Sequence, residues 1–535
     1  GCPVEIRKVV GRSAPGRLSV GGAGAYRAGV HHRRAGSLAR ALACALSAAM
    51  SMGGAPLAAV GAPPAQASPA PGAPGPGPGV APGGGGPPAP QALLATPLLS
   101  PARLPRALQG LWAQQNFDRA LARAMGPRAL GRVAATRSCA VAVQDGRVIY
   151  ADHPHLPVVP ASNMKLLTAA ALLDRLGPAY RFTTKLESLA PPVDGVVHGN
   201  LYFVGGGDPL LRLASYARSI PDGGSVYTSL NALVTALRAT GARQVTGGVV
   251  GDDTRYDSVR AVAGWPAEYG EEGDVGALSA LGIDDGFAAA GPPVPESAPP
   301  PVQSAGLLVK LLGAAGIEVD GGPTSGPVPA GATVLAEVVS PPLSAELGEI
   351  LRESDNTAME LLTKELGLKQ RGTGSTAAGL AAVRADLAAD GFPLSGFVNA
   401  DGSGLSRSDR VTCALLVAVL ERAGPDGLLV RDLPVAGRSG TLVDELRGTA
   451  AAGRVHAKTG TLDGVKALSG WALAATGQGA GNPPLAAPVV FATVLNDLAP
   501  TLPDPAGTPA GLTDQVALDV AEYPRAPALV KFEPG

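Results

Sequence analysis

Apolar and polar positions follow two rhythms along this chain, and the changes between them divide it. Residues 107–125 repeat at the helical period, with Leu108, Leu111, Trp112, Phe117, Ala120 and Leu121 as the expected buried stripe. Two strand-like runs follow, 139–143 and 147–150, joined by Gln144-Asp145-Gly146, an Asp-Gly hairpin signal. After Pro160 an Ala- and Leu-rich run without Gly or Pro reads as a helix to Leu173 and stops at Gly177-Pro178. From about 185 to 335 the pattern becomes strands and loops with one clear helix. Strands are expected at 200–204 and 244–250, the helix at 226–240 and a loop at 291–301. Helical spacing returns at 343–352, 356–368, 375–390 and 409–422. Residues 453–458, 468–475 and 489–496 read as strands, and 513–522 as a closing helix.

Ahead of residue 93 neither rhythm is present. Residues 61–90 are almost all Pro, Gly and Ala, which predicts a flexible, partly extended linker. Before it, Arg27, Arg33, Arg34 and Arg40 precede a mildly apolar run, 41–60, and Ala65-Gln66-Ala67 suits a cleavage site, so 1–67 reads as an export leader and 68–92 as a spacer. Gly53, Gly54 and Pro56 interrupt the apolar run, so no stable membrane span is expected. Length allows two or three domains, and a net charge of −1 without basic runs argues against nucleic acid as partner. Cleavage near Ala67 leaves Cys139 and Cys413; export would permit their pairing, but two buried thiols are the preferred reading.

Candidate chemistry comes from the lysines, of which the whole chain has nine. Lys165 lies three residues after Ser162, one helical turn away on the same face. A serine hydroxyl is a poor nucleophile until a base takes its proton, and a neutral amine can be that base. At the head of a helix the Ser162 N–H is also free to donate to a developing oxyanion. Lys458 opens Lys458-Thr459-Gly460, and between the two lysines lies Ser354-Asp355-Asn356. Alone, these are a chance tetrad, a strand end and a helix-capping turn. In this order, S-x-x-K, S-D-N and K-T-G form the pattern of penicillin-binding proteins and class A β-lactamases. Other candidates are weaker. His153 and His155 read as loop histidines, and Asp252, Asp253 and Asp257 as a solvated turn rather than a cation site. His456 shares a strand face with Lys458. Asp401-Gly402-Ser403-Gly404 is not a nucleophile elbow, and no G-x-S-x-G occurs.

With the three motifs in view, the chain resembles the penicillin-recognising serine D,D-peptidases, and among them the type-4, class C penicillin-binding proteins, the D-alanyl-D-alanine carboxypeptidase/endopeptidase family. That group is similar in its long insertion between the first two motifs, its Gly207-Asp208-Pro209 and Gly251-Asp252-Asp253 stretches, and its segment from Asp401 to Arg407. The resemblance spans about 93–524. It implies an α+β penicillin-binding protein/serine β-lactamase-like transpeptidase fold, an antiparallel sheet with a helical cluster. Residues 93–185 and 336–535 are then the catalytic domain and 186–335 an inserted domain.

The resemblance further implies an exported serine D-Ala-D-Ala carboxypeptidase, with D,D-endopeptidase as a second activity, acting on peptidoglycan stem peptides without metal or organic cofactor. β-Lactams are then covalent inhibitors. Ser162 would be the nucleophile and Lys165 its base, Ser354 a proton relay, and Asn356 a holder of Lys165 and the substrate amide. Lys458 and Thr459 would engage the substrate carboxylate, Gly460 would let the strand approach it, and the Thr461 N–H would join the oxyanion site. A free lysine titrates near ~10.4, so a base poised near neutrality needs its hold on the proton weakened by about 4 kcal/mol. Burial and the charge of Lys458 are the expected causes. Class A β-lactamases add a deacylating glutamate in E-x-x-L-N, which does not occur after Asn356. The alternatives are a β-lactamase or esterase on the same fold, and a catalytically silent cell-wall binding protein.

Overall fold

The computed structural model describes residues 106–220, 224–287, 297–474, 487–499 and 511–524. The expected leader, the linker and the start of order at Leu93 lie outside them, as does the Leu108 side chain. Helix α1, Arg106–Ala124, leads into strands β1, Cys139–Gln144, and β2, Arg147–Asp152. Asp145 and Gly146 both take positive φ, 51° and 70°, as a two-residue hairpin of right-handed twist requires. Helix α2, Met164–Arg175, follows. Then come β3 (Thr183–Ser188), β4 (Leu201–Val204), α3 (Leu230–Ala239), β5 (Val249–Asp252), α4 (Pro300–Ala314), β6 (Thr324–Ser325) and β7 (Thr333–Val339). Helices α5 (Leu343–Glu353), α6 (Asn356–Arg371), α7 (Thr376–Ala389) and α8 (Cys413–Ala423) precede strands β8 (Val455–Leu462), β9 (Val465–Ala472) and β10 (Val489–Leu495), and α9 (Leu512–Ala521) closes the described chain.

Two five-stranded sheets result. The first is antiparallel throughout, in the order β8-β9-β10-β1-β2, so strands far apart in sequence, β1 and β10, pair within it. Its alternation has two apolar sides. Cys139, Val141 and Val143 of β1, with Val490, Ala492 and Val494 of β10, face a core shared with α2, α5, α6, α7 and α8. Ala140 and Ala142, with Val489, Phe491 and Leu495, face α1 and α9. Val455 and Ala457 of β8 belong to that second side, which turns His456 and Lys458 toward the face occupied by α2. Each large apolar side chain so buried contributes about 1.5–3 kcal/mol. The second sheet is mixed, in the order β6-β5-β4-β3-β7, and packs α3 and α4 over a separate core. Strand β3 runs across the expected 185/186 boundary.

Several sequence expectations need correction. Leu111 and Trp112 are 66% and 45% exposed; the buried edge of α1 keeps the expected Phe117 and Leu121 and adds Ala113 before them and Met125 just beyond. These lie at steps of four, which the larger side chains of Leu111 and Trp112 obscured. The 185–335 block holds a second long helix, α4, where Pro300 and Pro301 suit the first turn although they resembled loop residues. The 244–250 strand is broken at Gly247-Gly248 into two pairings. Helix α3 begins at Leu230, and α8 at Cys413, because Val411 is taken by a bridge to Val158. Cys139 and Cys413 are not two thiols: they form a disulfide, with Cα atoms 6.0 Å apart.

Candidate active site

Ser162 stands in a 3₁₀ turn, Ala161–Asn163, at the head of α2. One turn on, the Lys165 side chain is fully buried, with its Nζ 3.2 Å from Ser162 Oγ. The same nitrogen is 2.5 Å from Asn356 Oδ1 and 2.8 Å from the Ser403 carbonyl. Both of these oxygens can only accept. A neutral amine has two N–H bonds and one lone pair, so when both N–H bonds are spent on Asn356 and Ser403 the lone pair faces the Ser162 hydroxyl. Burial pushes the Lys165 amine down to about 8, against the pull of Asp401, Asp355, Glu360 and Asp409. The expected like-charge effect falls on the other lysine. Burial first, and then the charge of Lys165, hold Lys458 well below the ordinary lysine value.

The second motif sits where α5 gives way to α6. Ser354 closes α5 in the left-handed region at φ 61°, and Asp355 caps α6 by accepting the Ala358 N–H at 2.9 Å. Asn356 donates from Nδ2 to the Asp274 carbonyl at 2.8 Å, which turns its oxygen to Lys165. The Ser354 hydroxyl is partly exposed and makes no hydrogen bond among the described residues. The third motif lies on β8, an edge strand of the first sheet. Asn163 Nδ2 donates to the Lys458 carbonyl at 3.2 Å, tying the turn of the first motif to this strand. Lys458 Nζ donates to the Thr459 carbonyl at 3.0 Å, and Thr459 Oγ1 shares a 2.7 Å bond with Thr441 Oγ1. A Cβ on Gly460 would stand 3.0 Å from both Asn163 Nδ2 and the Pro160 carbonyl, so strand and turn meet this closely only with glycine here. Thr461 is exposed and accepts from Lys466 Nζ at 3.2 Å. His456 is half-buried, and burial lowers its proton affinity.

Several residues that touch this site escaped the sequence reading. Ser403 contributes its carbonyl rather than its hydroxyl. The buried Glu360 fixes that carbonyl by accepting the Gly402 and Ser403 N–H groups at 2.9 and 2.7 Å. Asp401 accepts from Gly404, Ser406 and the Trp265 indole, and Asp409 from Ala400. Burial and the neighbouring Asp401 raise Glu360 to about 8 and Asp409 to about 10. Segment 401–407 was legible as a motif, but its loop could not be seen to fold over Lys165. The solvated turn expected at Asp252, Asp253 and Asp257 is overturned. Asp252 is 4% exposed and accepts from Thr254 and Val328, Asp253 pairs with Arg260, and Asp257 with Lys364. Among the described residues, Asp174, Asp386 and Asp390 form a group with metal-ligand spacing, and Arg175 and Arg422 already pair with it.

The chain is similar to known proteins. The D-Ala-D-Ala carboxypeptidase 3 (S13) family matches residues 119–291 and 297–498. A D-alanyl-D-alanine carboxypeptidase of Actinomadura sp. strain R39 is 31% identical over 457 residues, 71% of this chain and 79% of its own length. Carboxypeptidase DacB of Mycolicibacterium smegmatis is 29% identical over 428 residues, 78% of this chain and 86% of its own. The crystal structure of penicillin binding protein 4 (dacB) from Haemophilus influenzae shares the fold, with a TM-score of 0.57 at 22% identity over 72% of this chain and 95% of that one. A structure of the same Haemophilus protein complexed with a β-lactam gives a TM-score of 0.52. This chain belongs to the D-Ala-D-Ala carboxypeptidase 3 (S13) family, the type-4 penicillin-binding proteins.

Proposed function

We propose that this serine D-Ala-D-Ala carboxypeptidase hydrolyses peptidoglycan stem peptides through an acyl ester on Ser162. The observation that carries the reading is the Lys165 amine, buried, held by two acceptors, and 3.2 Å from Ser162 Oγ. Ser162 Oγ attacks the carbonyl between two D-alanines and its proton passes to Lys165 Nζ. The backbone N–H groups of Ser162 and Thr461 hold the oxyanion, each donor worth roughly 10²–10³ in rate. Ser354 passes the proton to the amine of the departing D-alanine, and Asn356 keeps Lys165 and the substrate amide in place. Water then cleaves the ester.

Lys458, with Thr459, takes the terminal carboxylate, and Gly460 lets the strand lie against the substrate backbone. Burial and Lys165 disfavour the charge on Lys458, and a docked carboxylate favours it. A β-lactam follows the first step and stops, for lack of an E-x-x-L-N glutamate to activate water. The structure of the Haemophilus protein complexed with a β-lactam supports binding of such compounds.

The remaining organisation is proposed with it: leader 1–67, spacer 68–92, catalytic domain 93–185 and 336–535, inserted domain 186–335, and an extracytoplasmic place at the cell wall, where stem peptides are found. No helix among the described residues is long and apolar enough to cross a membrane. The test is release of D-alanine from a stem pentapeptide ending in D-Ala-D-Ala. Release by the parent and none above background by Ser162→Ala is expected; equal release by both would refute the assignment.

A further inference from the structure

The segment between the first two motifs reaches the second motif. One contact is the Asp274 carbonyl on Asn356. Another is Arg212, at the end of the short strand Leu211–Arg212, a side chain 2% exposed. Its Nη2 lies 2.9 and 3.1 Å from the two oxygens of Asp285 and 2.8 Å from Asp355 Oδ2. Tyr216 steadies the arrangement: its hydroxyl donates to Asp285 at 2.7 Å and its ring lies 5.6 Å from the guanidinium. Glu349 approaches Nη1 at 4.0 Å.

Asp355 is the central residue of Ser354-Asp355-Asn356. One of its oxygens caps α6 and the other meets Arg212, so the carboxylate joins the turn to the inserted segment. The preceding Ser354 is at φ 61°, a backbone state that a residue with a side chain keeps only when its surroundings hold it. The following Asn356 contacts Lys165. A single nitrogen of the guanidinium, Nη2, serves both carboxylates. Without it, Asp285 and Asp355 would be two buried like charges side by side. Burial and Asp285 already raise Asp355 to about 7.

We infer that Arg212 is a positioning residue for the second motif: through Asp355 it fixes the left-handed turn that sets Ser354 and Asn356 around Lys165. The inference rests on the reading of Ser354 and Asn356 as active-site groups. It gives the inserted segment a part in catalysis.

The test is the rate of acylation by fluorescent penicillin, per mole of folded protein, in Asp355→Asn, Arg212→Met, Arg212→Lys and Ser354→Ala. Asp355→Asn leaves Arg212 paired with Asp285 and keeps an acceptor for the Ala358 N–H, so it serves even if Arg212→Met fails to fold. Asp355→Asn and Arg212→Met should slow acylation by roughly 10²-fold, the cost of a small misplacement. Arg212→Lys should recover part of the loss. In the Ser354→Ala background the same changes should cost less, leaving only the share that acts through Asn356. Parent-like acylation by Asp355→Asn beside a slow Ser354→Ala would overturn the inference alone, as would full additivity with Ser354→Ala. Parent-like acylation by Ser354→Ala would overturn the role of Ser354 and the inference with it.

Discussion

Lys165, the proposed base, is shaped by what it is denied. Buried and already donating to Asn356 and Ser403, it is poorly placed to keep a third proton, and its amine falls to about 8. The base form therefore grows as pH rises through that value. Acylation of Ser162 by penicillin should climb between pH 6 and 9 and level off above; stopped-flow labelling across that range would show it, and a flat profile would contradict the assignment of the base. Glu360 has the opposite leaning. Burial raises its carboxyl to about 8, so the folded state holds a proton that the unfolded chain releases near ~4.3. The stability this group confers is whole below the unfolded value and is lost as pH rises through about 8. Glu360→Gln should thus flatten the decline in melting temperature between pH 5 and 8, measured by calorimetry, without abolishing the fold. At this scale the sequence named Ser162, Lys165 and Asn356, because a fixed spacing and a rare residue type are visible in one dimension. Glu360 and Asn163 were not legible. One reaches the site through two backbone amides distant in sequence and the other through a carbonyl on a remote strand.

Elements bring the three motifs together through few fixed joints. Strand β1, in the middle of the first sheet, is bound covalently to the start of α8 by the Cys139–Cys413 disulfide, across 274 positions. Just before Cys413, Val411 bridges to Val158, and Val158 enters the turn that bears Ser162. Replacing both cysteines by alanine should lower the unfolding free energy by about 2–5 kcal/mol, read from denaturant curves of the purified protein. An unchanged midpoint would mean that packing alone holds α8 to the sheet. Most strands and helices were legible because both periods are strong here. Helix α4 was not, since two prolines conceal a good helix start, and neither was the exposed Trp112, since an amphipathic stripe at steps of four has more than one apolar candidate beside it.

For the whole molecule, the segment between the first two motifs is joined to α6 by buried charge. Glu365 of α6, fully buried, accepts from Arg255 at 2.6 and 2.9 Å and from the hydroxyls of Tyr180 and Tyr256 at 2.5 and 2.9 Å. Its neighbour Lys364 pairs with Asp257. Arg255→Met would leave the buried carboxylate with only Lys369, 4.0 Å away, as a cation, and a loss of about 3–5 kcal/mol is expected in chemical denaturation. No periodicity could announce this joint, because both sides read as ordinary polar residues until the chain folds. The central claim remains the nucleophile. The most direct measurement is labelling of the purified protein with fluorescent penicillin over hours, beside Ser162→Ala, with peptide mapping of the adduct. A stable label confined to the peptide containing Ser162, and absent from the variant, is the predicted result. Label that persists in Ser162→Ala, or that clears within seconds from the parent, would contradict the account.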